Sequence, residues 1–206
     1  MNSRLSVRRF ALFLVFAGLL SIPAQAHLPI PPMKGEIGRK SVQSAVPDFT
    51  LVNQDGKSFQ FAKARGKLVL VTFVYTTCPD LCPLLTAKFA AIQRALDEKK
   101  QEDYLLLSIT TDPEHDTPRA LKIYAHNYKA DFAHWFFLTG SRDQLAKVWN
   151  AFGVTVKMSS GGQIQHTTLT TLIDAQGKRR FDYYTDKWEE KEILKDMTSL
   201  GRAQRE

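Results

Sequence analysis

Cysteine is scarce in this sequence, which has two cysteines and five histidines among 206 residues. Two cysteines exclude a disulfide-rich scaffold and a structural zinc site built from four cysteines. Proline is absent after Pro118, and the chain contains no internal repeat or low-complexity tract. These absences leave one domain of ordinary size whose chemistry depends on very few side chains.

Long apolar runs are also missing, with one exception near the amino terminus. The segment from Phe10 to Ile22 carries no charge, follows three arginines, and precedes an Ala-Gln-Ala sequence that ends at Ala26. This pattern is typical of a cleaved signal peptide over residues 1–26, because the run is shorter than the roughly 20 residues of a membrane span. We therefore expect an exported protein, in the periplasm or an equivalent compartment, that is soluble after cleavage.

A strong excess of positive charge is absent as well. The formal net charge is +7 at pH 7, and removing the three leader arginines leaves +4. Basic residues are scattered along the chain, apart from Lys178-Arg179-Arg180 beside a predicted turn. The sequence thus does not favour nucleic-acid binding.

The order of the predicted elements indicates an α/β domain. Residues 27–46 contain prolines and glycines without a sustained period, which predicts a flexible arm. Residues 47–206 form the predicted domain and begin with a hairpin around Asp55-Gly56. Strands then alternate with amphipathic helices, so we expect a mixed central sheet with helices on both faces and an N-terminal β-hairpin.

Both cysteines follow a predicted buried strand, Leu68 to Tyr75, at the point where a helix begins. Sites form at the carboxyl ends of strands in open α/β sheets, and a helix N-terminus favours thiolate over thiol. A disulfide between Cys78 and Cys82 would close a loop too short to stabilise the fold much. The pair is better explained as a redox couple or as part of a metal site, and a redox pair at this junction suggests a thioredoxin-like domain.

His166 is the third candidate. Thioredoxins place a cis-proline just before a late strand, opposite their cysteines, and in this chain His166 stands at that place. Two soft sulfurs and one imidazole nitrogen suit copper, as Cu(I) or as Cu(II) with an added weak ligand. Structural zinc normally requires four protein ligands, and no third cysteine exists.

Other candidate residues have structural explanations. The remaining histidines of the predicted domain are expected to be ordinary surface or core residues, namely His115, His126 and His134. Asp112 is equally consistent with a turn before Pro113 and with a group that tunes the thiols or the histidine. Met158 is better explained by packing than as an axial sulfur ligand.

With these residues in place, the sequence resembles the Sco/SenC family of copper proteins over roughly residues 46–200. The resemblance lies in four segments: Tyr75-Thr-Thr-Cys-Pro-Asp-Leu-Cys-Pro83, Thr111-Asp-Pro-Glu-His-Asp-Thr-Pro118, Leu138-Thr-Gly140, and His166 ahead of Leu172-Ile-Asp174. It implies a thioredoxin-like fold in which Cys78, Cys82 and His166 bind one copper ion per chain. Gln165 departs from the family, which often has aspartate directly before the histidine, and so a partner that could tune the metal is missing.

The resemblance also implies a role in assembly. The chain would help to build the dinuclear copper centre of cytochrome c oxidase, by delivering copper or by reducing the cysteines of that centre. Its partners would be the copper-centre subunit of the oxidase or another copper chaperone, through which it would approach the membrane. The alternative is an enzyme, a thiol–disulfide oxidoreductase that uses only Cys78 and Cys82. A peroxidase is a weaker third hypothesis.

Overall fold

The computed structural model describes residues 38–159 and 163–203. The strands in this part of the chain are β1 (Gly38–Ala45), β2 (Thr50–Asn53), β3 (Ser58–Gln60), β4 (Leu68–Val74), β5 (Tyr104–Thr110), β6 (Trp135–Thr139), β7 (Val156–Met158), β8 (Ile164–His166), β9 (Leu169–Ile173) and β10 (Lys178–Tyr184). The helices are α1 (Leu81–Glu98), α2 (Pro118–Asn127), α3 (Arg142–Phe152) and α4 (Glu190–Ala203), with a short 3₁₀ helix at Phe61–Ala64. The predicted signal peptide, residues 1–26, lies outside the described residues.

Eight strands form one sheet in the order β1-β10-β9-β4-β5-β6-β2-β3. The central pairs β4–β5 and β5–β6 are parallel, whereas the outer pairs are antiparallel. Every residue of β4 and β5 is buried, which explains why both read as continuous apolar runs. The predicted mixed, thioredoxin-like sheet with its hairpin of β2 and β3 is confirmed.

Helices cover both faces of this sheet, as predicted. On one face α3 contributes Leu145 and Trp149 to a core that includes Val71. Leu70 precedes Val71 along β4 and faces the other way. On that second face Leu70 packs with Phe89 of α1 and with residues of α2 and α4. Side chains of consecutive strand residues point to opposite faces, so one strand serves both cores. Within the described ranges we find no helix with the length and apolar character needed to cross a bilayer.

The prediction of a flexible arm over residues 27–46 is wrong for its second half. Gly38–Ala45 forms the edge strand β1, which pairs with β10 from Gly38 opposite Tyr184 to Ala45 opposite Lys178. Most β1 side chains are exposed and the register shifts between Ser41 and Ser44. An edge strand with little buried surface has no apolar alternation, so the sequence pattern could not reveal it. Residues 27–37 lie outside the described part of the chain.

A buried ion pair lies within β10 and accepts a hydrogen bond from the adjacent strand β9. The Arg179 guanidinium donates to both carboxylate oxygens of Asp182, and these residues are only 8% and 1% exposed. The hydroxyl groups of Thr171 and Tyr184 donate to the same carboxylate at 2.6 and 3.3 Å. The buried charge of Asp182 is thus matched by a cation and by further hydrogen bonds.

The strands β7 and β8 form a separate antiparallel ribbon that is not part of the main sheet. The ribbon precedes β9 and carries His166 at its end. The strand Ile164–His166 is not evident from the sequence, because three residues after a glycine-rich loop are too few to show a period.

Candidate metal centre

The site lies at the carboxyl ends of the central strands β4 and β5. Because β4 and β5 are parallel and β9 runs opposite to β4, the residues after Val74, after Thr110 and before Leu169 meet there. Segments that are far apart in sequence therefore contribute to one site. The cysteines follow β4, and His166 precedes β9.

Cys78 lies in the turn between β4 and α1, and Cys82 lies in the first turn of α1. Pro83 fits this turn because the first N–H groups of a helix have no intrahelical acceptor. Both thiols are free, and the two residues are only 8% and 1% exposed. The sulfurs are therefore held near a helix N-terminus and largely out of water.

His166 faces Cys82 across the site. Its Nε2 atom lies 3.9 Å from the Cys82 sulfur, and its Nδ1 atom lies 3.0 Å from the carbonyl oxygen of Thr167. A carbonyl oxygen only accepts, so Nδ1 carries a proton in this contact, and Nε2 is the ring nitrogen that faces the sulfur. A hydrogen bond of this kind orients metal-binding histidines in general.

A small cavity opens among these side chains. Its volume is about 20 Å³, which suits one water-sized particle. The lining residues come from the segment after β4 and the segment before β9, and they are Tyr75, Cys78, Asp80, Leu81, Cys82, Leu85, His166 and Thr168. Apart from the thiols, the imidazole and a few oxygens the wall is apolar, so little bulk water reaches the sulfurs.

The two thiols differ in acidity. The pKa of Cys78 is lowered to about 6, chiefly because the Cys82 thiol donates a hydrogen bond to its thiolate. The backbone N–H of Asp80 and the hydroxyl of Tyr75 add to this effect, against the opposing effect of burial. The pKa of Cys82 is raised by the same hydrogen bond and by burial. Near neutral pH the metal-free pair therefore consists of one thiolate and one thiol.

The observed spacing fits a shared metal ion. Bond lengths of about 2.0 Å to nitrogen and 2.3 Å to sulfur place two donors about 3.5 to 4.3 Å apart, for angles from tetrahedral to linear. The separation between Cys82 and His166 falls within that interval. In the described residues no group of three or more His, Cys, Asp or Glu side chains is arranged to hold a metal ion. Cys78 contacts Cys82, and Cys82 contacts His166, so binding of one ion by all three requires their side chains to rearrange.

Asp116 supports the cysteine segment and was not singled out by sequence reasoning. It is fully buried, and its carboxylate accepts hydrogen bonds from the N–H and hydroxyl of Thr76 and from the hydroxyl of Thr110. Burial raises the pKa of Asp116, while these hydrogen bonds oppose the change. Thr76 stands two residues before Cys78, so Asp116 fixes the backbone from which the first thiol projects. Only its place in the Thr111–Pro118 motif could have signalled this role.

Replacement of Asp116 by alanine should destabilise the reduced, metal-free protein by about 2–3 kcal/mol, because Thr76 and Thr110 lose a buried acceptor. Asp116→Asn is the matched control. Its amide keeps the shape and one acceptor oxygen without a buried charge, so we expect a loss within about 1 kcal/mol. Urea unfolding of both variants measures the difference. Equal stability of Asp116→Ala and the parent chain would contradict this role.

Asp112 and the other histidines of the domain do not take part in the contacts among Cys78, Cys82 and His166. Asp112 is buried and its carboxylate contacts Nδ1 of His115 at 2.8 Å, so it combines a turn position with a polar contact beside the site. His134 stacks on Tyr104, and His126 is exposed on α2. Tyr75 was missed as a site residue. Its ring meets the imidazole of His166 edge-on, with 6.0 Å between ring centroids.

Known proteins with this architecture carry a common family name. The family model described as SCO1/SenC matches residues 38–201. A SCO2-like protein of Rickettsia typhi is 32% identical over 180 residues, which cover 84% of this chain and 87% of the relative. This similarity extends over nearly all of the described residues.

Solved structures agree. BsSco, described as having a disulfide switch and as a member of the Sco family of cytochrome c oxidase assembly proteins, gives a TM-score of 0.69 at 32% identity and covers 78% of this chain and 95% of its own. ScoI of Bradyrhizobium japonicum, solved with copper bound, gives 0.66 at 28% identity over 76% of this chain and 99% of its own. The present chain therefore belongs to the SCO1/SenC family.

Proposed function

We propose that this protein binds one copper ion through Cys78, Cys82 and His166 and takes part in assembling the dinuclear copper centre of cytochrome c oxidase. The contact between Nε2 of His166 and the Cys82 sulfur, 3.9 Å long, carries the proposal. It joins donors that are far apart in sequence, and one of them is soft and the other an imidazole, as copper prefers. The copper-bound relative and the oxidase-assembly relative support it.

The residues around the ion would each have a separate task. Cys78 is already the more acidic thiol, and Cys82 would lose its proton on binding, because a thiolate rather than a thiol is the metal ligand. His166 keeps its Nδ1 proton on the Thr167 carbonyl and offers Nε2. Bound copper would supply a soft, redox-active cation that can be passed to a thiolate-rich acceptor. Its acceptor would be the copper-centre subunit or another copper chaperone.

A thiol–disulfide oxidoreductase remains the second candidate because the two thiols differ in acidity. The Cys78 thiolate would attack a partner disulfide and form a mixed disulfide. Cys82 would then give up its proton and attack the Cys78 sulfur, which releases the partner as a dithiol and leaves a Cys78–Cys82 disulfide. Each turnover transfers two electrons, so a thiol reductant must restore the pair.

The deciding experiment is the metal content and thiol count of protein purified without oxygen from the exported fraction. We expect one copper per chain and two thiols that react with a thiol reagent only after a copper chelator is added. Two reactive thiols without copper, together with rapid reduction of a disulfide substrate, would instead favour the oxidoreductase. Recovery in the exported fraction also tests the proposed signal peptide.

A further inference from the structure

Met158 shares a face of the β7–β8 ribbon with His166. Val156 is paired with His166, and Met158 is paired with Ile164. Directly opposed residues of antiparallel strands project from the same face, and residues two apart along a strand do so too. All four side chains therefore project from one face, while Lys157 projects from the other.

The shared face is turned towards the cysteines. Ile164 is buried in a cluster with Tyr75, Cys78 and Cys82, and Val156 packs against the same cluster. Because Met158 belongs to this face, the Cα–Cβ bond of Met158 points to the same side of the ribbon as those of Ile164 and Val156.

Met158 nevertheless stands at the open end of this face. It is 53% exposed, whereas Ile164 and His166 are 5% and 6% exposed. The expectation that packing accounts for this methionine is therefore not met. In an antiparallel pair the diagonal neighbours lie about 7–8 Å apart, a distance that a long side chain can bridge. The diagonal neighbour of Met158 in the ribbon is His166, so a flexible thioether stands at the solvent-exposed end of the face that carries the imidazole.

We propose that the Met158 sulfur is a transient ligand through which Cu(I) enters and leaves the site. This inference rests on the proposed copper function. Thioethers are soft donors that suit Cu(I). In the release step, a bond forms between copper and the Met158 sulfur while the bond to Nε2 of His166 breaks. Both thiolates stay bound, copper remains Cu(I), and no proton moves because His166 keeps its Nδ1 proton.

The test compares Met158→Leu with the parent chain, both loaded with one Cu(I) per chain without oxygen. Leucine keeps the volume and apolar character but removes the sulfur. We expect transfer of Cu(I) to a water-soluble chelator to slow about tenfold, which corresponds to about 1.4 kcal/mol in activation free energy. The equilibrium affinity for Cu(I) should stay unchanged. An unchanged transfer rate would overturn the proposal.

The double variant Lys157→Met/Met158→Leu is the matched control, because it moves the thioether to the opposite face of the same ribbon. It should transfer copper as slowly as Met158→Leu, and recovery of the parent rate would refute the proposal. If the parent chain binds no Cu(I) at all, the copper function itself fails, whereas normal binding with unaltered transfer refutes only the role of Met158.

Discussion

Replacing His166 by alanine is expected to lower the affinity for Cu(I) more than about 100-fold, since loss of a group that only hydrogen-bonds to a metal ligand already costs about 10–100-fold. The imidazole is the only nitrogen donor that the structure brings against the Cys82 sulfur in the described residues, and no neighbouring histidine contacts that sulfur. Competition with a chelator of known affinity, performed without oxygen, measures the change. The reduced variant should still contain two thiols.

His126→Ala is the matched control, because His126 is exposed on α2 and contacts the ring of Phe132 rather than the site. It should bind one copper ion as the parent chain does. Stoichiometric, tight copper in His166→Ala would contradict the three-donor site. The same variant separates the two candidate functions, because reduction of a disulfide substrate needs only the cysteine pair and should survive the change.

Replacement of Asp182 by alanine should lower the free energy of unfolding by about 3–5 kcal/mol, because the Arg179 charge is then buried without its partner. The hydroxyl groups of Thr171 and Tyr184 lose the acceptor that they share. Chemical unfolding of the metal-free, reduced protein is the appropriate measurement, since bound metal would add its own stabilisation.

The double variant Arg179→Met/Asp182→Leu provides the control for this second effect. It removes both charges and fills the space with apolar side chains, so it should recover most of the stability that Asp182→Ala loses. Exposed ion pairs contribute about 1 kcal/mol or less. A loss of that size for Asp182→Ala would contradict this prediction, because it would mean that solvent reaches the ion pair.

Local pattern was sufficient to predict the centre of the fold. The apolar run that forms β4 and the proline after Cys82 mark a strand followed by a helix, so the position of both thiols could be derived from neighbouring residues. The capping residues Thr117 and Ser141 likewise mark in the sequence where α2 and α3 begin. His166 was found by its place before a late strand, although the strand that carries it was missed.

Features that depend on tertiary contacts escaped prediction. Asp116 acts on Thr76 across 40 residues of sequence, and no periodicity records such a hydrogen bond. The edge strand β1 exposes most of its side chains, so nothing in its composition distinguishes it from a loop. The exposure of Met158 follows from its place at the end of a ribbon whose second strand has three residues.

The imidazole is carried by the β7–β8 ribbon, which is separate from the sheet that carries the cysteines. The cysteines are attached to the end of β4 and the start of α1, whereas His166 belongs to two strands that pair only with each other. A change in coordination geometry can therefore be absorbed by a slight tilt of the ribbon, without breaking any hydrogen bond of the eight-stranded sheet. If the site holds copper as proposed, the imidazole could follow the ion while the strand pairing of the main sheet stays intact.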